Sequence, residues 1–210
     1  WTPAYNLSEN TVANPLVSFT NSTPNPIDIE YLVQVSNGVC TGIDSVTVTI
    51  NPIPLVSAAD EIGVCSGESV FLSANGGTTY QWSPAALFVD PTSPTQEFTP
   101  LNSEQIYFDA QNIYGCTNTD SVNIIVHPLP FIDFEIESIE SCSPYQLILE
   151  IGALSENISD YIWYLGNQQI SNNAFVNHII STPGVYDLSF TGISEFGCIS
   201  EWEEEDIITI

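Results

Sequence analysis

The sequence predicts an all-β fold made of tandem β-sandwich domains arranged end to end. Three observations predict it. The first is a recurring motif order. Trp82-Ser83-Pro84, Gly115-Cys116-Thr117, Asp120-Ser121-Val122 and His127-Pro128-Leu129-Pro130 follow one another. Earlier in the chain, Trp1-Thr2-Pro3, Val39-Cys40-Thr41, Asp44-Ser45-Val46 and Asn51-Pro52-Ile53-Pro54 come in the same order. A looser copy holds Cys142, Trp163 and Gly197-Cys198. Trp1, Trp82 and Trp163 are 81 residues apart each time, so the period is near 80, the length of a small sandwich unit. The second is that apolar residues come in short alternating or β-branched runs, which read as strands. The third is the absence of capped 3.6-residue periodicity in a chain with 14 Pro and 12 Gly, residues that punctuate β-structure.

Taken in order, the predicted strands are 29–35, 46–50, 69–73, 106–110, 122–126, 146–151 and 185–190. Each is rich in Val, Ile, Leu, Tyr or Phe and is bounded by Pro, Gly, Asn or Ser. Pro52-Ile53-Pro54 and Pro128-Leu129-Pro130 each follow a finished strand. Proline fixes φ and cannot donate to a ladder, so these segments are stiff junctions. They divide the chain into units 1–53, 54–130 and 131–210. The first unit lacks its opening strands, and the chain reads as a piece of a longer polypeptide.

Composition excludes several functions. There is no Lys and no Arg against 26 Asp plus Glu, a formal net charge of −26. Nothing neutralises phosphate, so nucleic acid is not a partner, and anionic membrane surfaces repel the chain. No run of 18 apolar residues exists to span a bilayer as a helix, so no membrane insertion is expected. Spreading the charge along a row of domains places most of it beyond a Debye length of about 8 Å.

Five cysteines stand at 40, 65, 116, 142 and 198. In a secreted β-domain such cysteines form disulfides. The simplest pairing is within units, Cys65–Cys116 and Cys142–Cys198, leaving Cys40 unpaired because its partner lies upstream of Trp1. Pairing between neighbouring units stays open. The Gly-Cys sites fall at the last hairpin and Cys65 and Cys142 precede the second strand, positions at opposite ends of an immunoglobulin-type sandwich, whereas a bridge needs Cα atoms about 4.4–6.8 Å apart.

These residues resemble a known group. Val64-Cys65-Ser66-Gly67-Glu68-Ser69-Val70, Tyr80-Gln81-Trp82-Ser83-Pro84 and Gly115-Cys116-Thr117 through Pro130 resemble the immunoglobulin-like repeats of very long surface proteins of Bacteroidetes. Cys142-Ser143-Pro144, Tyr161-Ile162-Trp163-Tyr164-Leu165-Gly166 and Thr182-Pro183-Gly184-Val185-Tyr186 resemble a PKD-type domain, with Tyr164-Leu165 where that family has an acidic residue and an aromatic. Such repeats occur in SprB-like gliding-motility adhesins and in other cargo of the type IX secretion system. The resemblance implies export across the outer membrane and display outside the cell.

Several residues carry candidate chemistry. Ser45 and Ser121 match the Asp-Ser-apolar acceptor that the resembling group uses for O-glycosylation, while their plainer role is to cap a turn before the last strand. Asn21-Ser22-Thr23 and Asn157-Ile158-Ser159 fit the Asn-linked pattern. Glu201, Glu203, Glu204, Glu205 and Asp206 form the densest acidic run. Glu203 and Glu205 are the calcium candidates, although alternation along a strand sends neighbours to opposite faces. No other cofactor is expected. His127 lies in a junction, and His178 falls near a core His of PKD domains. No nucleophile–base–oxyanion constellation is recognisable, so the chain does not read as an enzyme. Trp1, Trp82 and Trp163 are assigned to cores, and Trp202 and Tyr80 are the better candidates for exposure.

The function expected is that of non-catalytic spacer and adhesive repeats in a long secreted cell-surface filament. Its partners would be neighbouring repeats, an external surface or polysaccharide, and the secretion or motility machinery. The alternative is a carbohydrate-binding or accessory module of a secreted polysaccharide-degrading enzyme. Intact-mass analysis of native protein tests the serine sites: glycan raises the mass above that of the polypeptide, and an unmodified mass excludes it.

Overall fold

Alternation of apolar and polar residues sets where the strands form, and the computed structural model describes all 210 residues, Trp1–Ile210. The strands are β1 (Ile27–Ser36), β2 (Thr41–Ile50), β3 (Glu61–Cys65), β4 (Val70–Ser73), β5 (Thr79–Ser83), β6 (Thr95–Phe98), β7 (Glu104–Gln111) and β8 (Thr117–His127). They continue as β9 (Ile139–Glu140), β10 (Tyr145–Glu150), β11 (Asp160–Leu165), β12 (Gln168–Ser171), β13 (Phe175–Ile180), β14 (Val185–Ile193) and β15 (Ile199–Thr209). The only helical piece is a 3₁₀ turn at Ala85–Leu87. The fold is all-β, as the composition requires. No helix is long and apolar enough to cross a membrane.

The chain divides into two compact units. One comprises Trp1–Ile62, Ser69–Thr99 and Ser103–Ile124; the other comprises Gly63–Glu68, Pro100–Asn102 and Ile125–Ile210. In the first, β1 and β2 form a two-stranded antiparallel hairpin from Ile27↔Ile50 to Ser36↔Thr41. Ile29 and Tyr31 alternate inward with exposed Asp28 and Glu30. The strands that follow form a four-stranded sheet in the order β3-β8-β7-β5 and a two-stranded sheet β4-β6. Val70, Leu72, Phe98, Ile106, Phe108, Val122 and Ile124 are buried on alternate positions, the pattern of two inner faces meeting. Trp82 lies 4.9 Å from Phe108 and 5.9 Å from Phe88, and Phe88 meets Phe98 edge-on at 5.2 Å. These aromatic contacts join the two sheets.

In the second unit a five-stranded sheet, β12-β11-β14-β15-β9, faces the pair β10-β13. Leu147, Leu149, Val176 and Ile180 from the pair meet Trp163, Leu165, Leu188, Phe190 and Ile208 from the sheet in one buried cluster. Short β9 runs parallel to β15 at Ile139↔Ile208 and Glu140↔Thr209. A bulge between Tyr186 and Leu188 interrupts the β14–β15 ladder. Opposite it, Asp206 takes φ of 52° and its N–H donates to Asp187 Oδ1 at 2.9 Å.

The tryptophans repeat a single contact. Each indole N–H donates to a backbone carbonyl ten or eleven residues on: Trp1 to Val12 at 3.0 Å, Trp82 to Ser93 at 2.8 Å and Trp163 to Asn173 at 3.1 Å. A buried indole needs such a partner. Trp82 and Trp163 are 1% and 0% exposed. Trp1 is only half-buried, which corrects its assignment to a core: the sheet beside it, β1–β2, has only two strands. Trp202 and Tyr80 are more exposed than Trp82 and Trp163, though each is only half-exposed. Trp202 is half-buried edge-on to Phe134 at 4.8 Å, and the half-buried Tyr80 hydroxyl donates to Gly77 O at 2.9 Å.

The loop that receives Trp82 is closed by Asp90, whose carboxylate accepts from the Thr92 hydroxyl at 2.6 Å and from its N–H at 2.9 Å. Those bonds favour the ionised form and hold the Asp90 carboxyl below its ordinary value. Its contribution to stability is therefore present above the unfolded Asp value, about pH 4, and is lost as the pH falls through the folded value. NMR titration of Asp90 and its Asn variant checks this: the variant loses the acid-induced shift of the Thr92 amide. Trp82→Ala and Trp163→Ala each empty a filled core and are expected to cost about 3–5 kcal/mol in denaturant unfolding. Trp1→Ala, at a half-exposed site, costs less.

Candidate functional site

Three hairpins are capped by a side chain at their first residue; the turn Asn37–Cys40 is one residue shorter than Asn112–Cys116 and Ser194–Cys198. Each connects the last two strands of its sheet, and each opens on a residue whose side-chain oxygen accepts backbone N–H groups. Asn37 Oδ1 accepts from Val39 and Cys40 at 3.0 and 2.8 Å. Asn112 Oδ1 accepts from Tyr114 and Cys116 at 3.0 and 3.1 Å. Ser194 Oγ accepts from Phe196 and Cys198 at 3.3 and 3.1 Å. Such side-chain caps are what Asn and Ser do in turns. The glycine before the cysteine, or one residue earlier in the first hairpin, takes positive φ: 89° at Gly38, 79° at Gly115 and 81° at Gly197. A side chain there would be strained.

From these hairpins the chain reaches back to its Pro-x-Pro segments. Asn112 Nδ2 donates to Pro52 O at 2.8 Å and Asn118 Nδ2 to Pro54 O at 2.9 Å. In the second unit Ser200 Oγ donates to Pro130 O at 2.7 Å. Asn118 and Ser200 each stand two residues after the hairpin cysteine, and Pro54 and Pro130 each close a Pro-x-Pro. A side chain thus satisfies a carbonyl that no ladder reaches. The Pro-x-Pro segments are held by these bonds as well as by proline φ. Sequence reasoning missed Asn112, Asn118 and Ser200; their constant offset from Cys116 and Cys198 was the available signal.

The disulfide joins Cys65 to Cys198, with Cα atoms 5.5 Å apart and a sequence separation of 133. The expected pairs Cys65–Cys116 and Cys142–Cys198 are not formed; Cys40, Cys116 and Cys142 are free thiols. Strand length is the physical reason. Ser66 N donates to His127 O at 2.9 Å, so Cys65 lies beside the end of β8. Cys116 immediately precedes the start of β8, an 11-residue strand, which spans about 33 Å at 3.3 Å per residue. Ser141 N donates to Thr209 O at 3.0 Å, placing Cys142 at the end of β15, while Cys198 precedes its start, again 11 residues away. Neither within-unit pair approaches bridging distance.

The His127 ring stacks on Phe196 at 3.8 Å and 15°. Gly63 lies beside the same ring: a Cβ there would come within 2.9 Å of His127 Nε2, so the absence of a side chain leaves the ring its space. His178, half-buried on β13 between inward-facing Val176 and Ile180, lies opposite Leu147 on β10. The two histidines share no site.

Other candidates are placed as follows. Ser45 pairs with Leu32 within β2, and Ser121 with Tyr107 within β8. Both are mid-strand, which corrects the turn-capping role. Asp44 and Asp120 still bond the following serine N–H, at 2.8 Å each. Ser45 is exposed, whereas half-buried Ser121 accepts from Gln105 Nε2 at 3.2 Å. Asn21 is 1% exposed, with its amide donating to Asn25 O and Ile50 O at 2.8 Å each; it is a structural residue, not a glycan acceptor. Glu201, Glu203, Glu204, Glu205 and Asp206 are all exposed along β15. The structure does not bring Glu203 and Glu205 into any group of three or more His, Cys, Asp or Glu side chains able to hold an ion.

No family model matches the chain, and no curated protein matches it. Solved structures resemble it only distantly. Fibronectin(III)-like modules of CbhA from Clostridium thermocellum are 13% identical, covering 74% of this chain and 94% of that one, with a TM-score of 0.41. A three-domain immunoglobulin fragment of titin is 14% identical over 87% and 75%, with a TM-score of 0.41. Immunoglobulin domains 1–4 of Sidekick-1 are 13% identical over 98% and 64%, with a TM-score of 0.42. At these values nothing is transferred to this chain, and the sandwich assignment stands on the strand pairing described above.

Two measurements check the site. Digestion at acidic residues without reduction, after alkylation, is expected to give one linked peptide pair, 65 with 198, and three alkylated cysteines. Asn118→Ala removes the bond to Pro54 O and leaves a half-buried carbonyl unpaired, which is expected to cost about 1–3 kcal/mol in thermal or denaturant unfolding.

Proposed function

We infer that this chain is a non-catalytic spacer and adhesive segment of a secreted cell-surface filament of the gliding-adhesin type, built from repeats 1–53, 54–130 and 131–210. The observation that carries this reading is the Cys65–Cys198 bond. A load applied to the two ends of the chain passes through that covalent link and bypasses everything between. In the chain-entropy picture, closing a loop of 133 residues removes about 5 kcal/mol of unfolded-state freedom. Disulfides persist in oxidising compartments, which supports a position outside the cytoplasm.

Two further features support it. The Pro-x-Pro carbonyls are held by Asn112, Asn118 and Ser200, as suits segments that must not flex freely. The chain has no Lys or Arg, so it offers no trypsin site to proteases outside the cell. Its partners on this reading are like repeats of its own polypeptide, an external surface or polysaccharide, and the machinery that exports or moves the filament.

Single-molecule extension from the two termini tests the mechanical reading. The fully extended oxidised chain is expected to fall short of the reduced chain by roughly 450 Å, the length of 133 residues at about 3.4 Å each. Equal extended lengths under both conditions defeat it. Selective capture of one sugar class by the isolated chain on a glycan array moves the assignment to a carbohydrate-binding accessory module.

A further inference from the structure

The observed disulfide joins two different places in the repeat. Cys65 ends the first strand of one sandwich, and Cys198 sits in the last hairpin of the sandwich that follows in sequence. The free cysteines occupy these same two places. Cys142 follows β9, which lies beside the end of β15 as Cys65 lies beside the end of β8. Cys40 and Cys116 occupy the Cys198 place in the capped hairpins opened by Asn37 and Asn112.

We propose that Cys65–Cys198 is one link of a repeating staple, in which Cys142 bonds the hairpin cysteine of a following sandwich of the same kind. Cys40 and Cys116 are the hairpin halves of staples to preceding sandwiches. This rests on the tandem-repeat reading above. The occupant of the Cys142 site is therefore a Gly-Cys hairpin, not a metal or a small molecule.

Three observations support it. Cys142 is exposed and so is accessible to a partner. Its place at the end of β15 repeats the place of the bonded Cys65 at the end of β8. The hairpin of Cys116 already grips Pro52 of the preceding junction through Asn112, and that of Cys198 meets the preceding junction through the Phe196 stack on His127. Every free cysteine is thus a half whose complement falls outside residues 1–210, and only Cys65 and Cys198 have both halves inside.

The chemistry is thiol–disulfide exchange with an external disulfide as oxidant. One protein thiolate attacks the oxidant and releases one reduced thiol. The second protein thiolate then attacks the mixed disulfide and releases the other. One S–S bond forms in the protein, one is lost from the oxidant, and the two protons leave on the released thiols.

The test extends the whole chain at Ile210 with a second copy of residues 128–210, folds it in oxidised and reduced glutathione, alkylates it and maps it without reduction. The expected map holds two bonds, the original 65 with 198 and Cys142 with the appended copy of Cys198. Cys142→Ser in the same protein is expected to leave the appended cysteine alkylated and the original bond intact. Recovery of Cys142 alkylated or bonded elsewhere, with the original bond present, overturns the proposal but leaves the spacer reading standing. Absence of the original bond overturns both. In the unextended chain, oxidised glutathione alone is expected to leave glutathione adducts on Cys40, Cys116 and Cys142. A bond between any two of these three overturns the proposal independently of how the appended copy folds.

Discussion

A single side-chain oxygen at the head of each last hairpin is the constraint from which the rest is positioned. Asn37, Asn112 and Ser194 each accept two backbone N–H groups of the turn they open. With the turn closed, the cysteine that ends it stands at a fixed point. In the second and third hairpins the residue two places on, Asn118 or Ser200, then donates to a Pro-x-Pro carbonyl, and the strand that follows begins in a defined register. A turn with no such oxygen would lose two of its internal hydrogen bonds.

From that turn the structure works outward through ladders. β8 and β15 each carry 11 residues away from a hairpin cysteine, so each strand separates the two cysteine places of its own sandwich by its full length. The first strands, β3 and β9, finish at the far ends. The same length that keeps Cys116 from Cys65 brings Cys65 to the region where the next hairpin begins. Glycine at 63 admits the His127 ring there, and Phe196 covers it.

Much of the fold was legible in the residues. The period near 80 comes from tryptophans that all make one contact, an indole N–H to a loop carbonyl ten or eleven residues on. Alternation located the strands because burial on a sheet has period two. The buried place of Trp82 and Trp163 followed from size and apolarity. The reading of Asp44-Ser45 and Asp120-Ser121 as turn residues failed because local propensity favours turns for these types, while here the ladder continues straight through them. Trp1 was misplaced because exposure depends on what faces a residue, and a motif carries no information about the opposite sheet.

The sequence by itself determined the all-β class, the repeat, the stiff Pro-x-Pro segments and a surface of one charge sign. These are local or compositional properties, set by side-chain periodicity, proline geometry and the absence of any Lys or Arg. Tertiary structure alone decided which cysteines meet. Two cysteines within one repeat are close in sequence, but an 11-residue strand holds them at opposite ends. Two cysteines 133 residues apart lie 5.5 Å apart between Cα atoms, because strand direction, and not separation along the chain, sets which ends are neighbours.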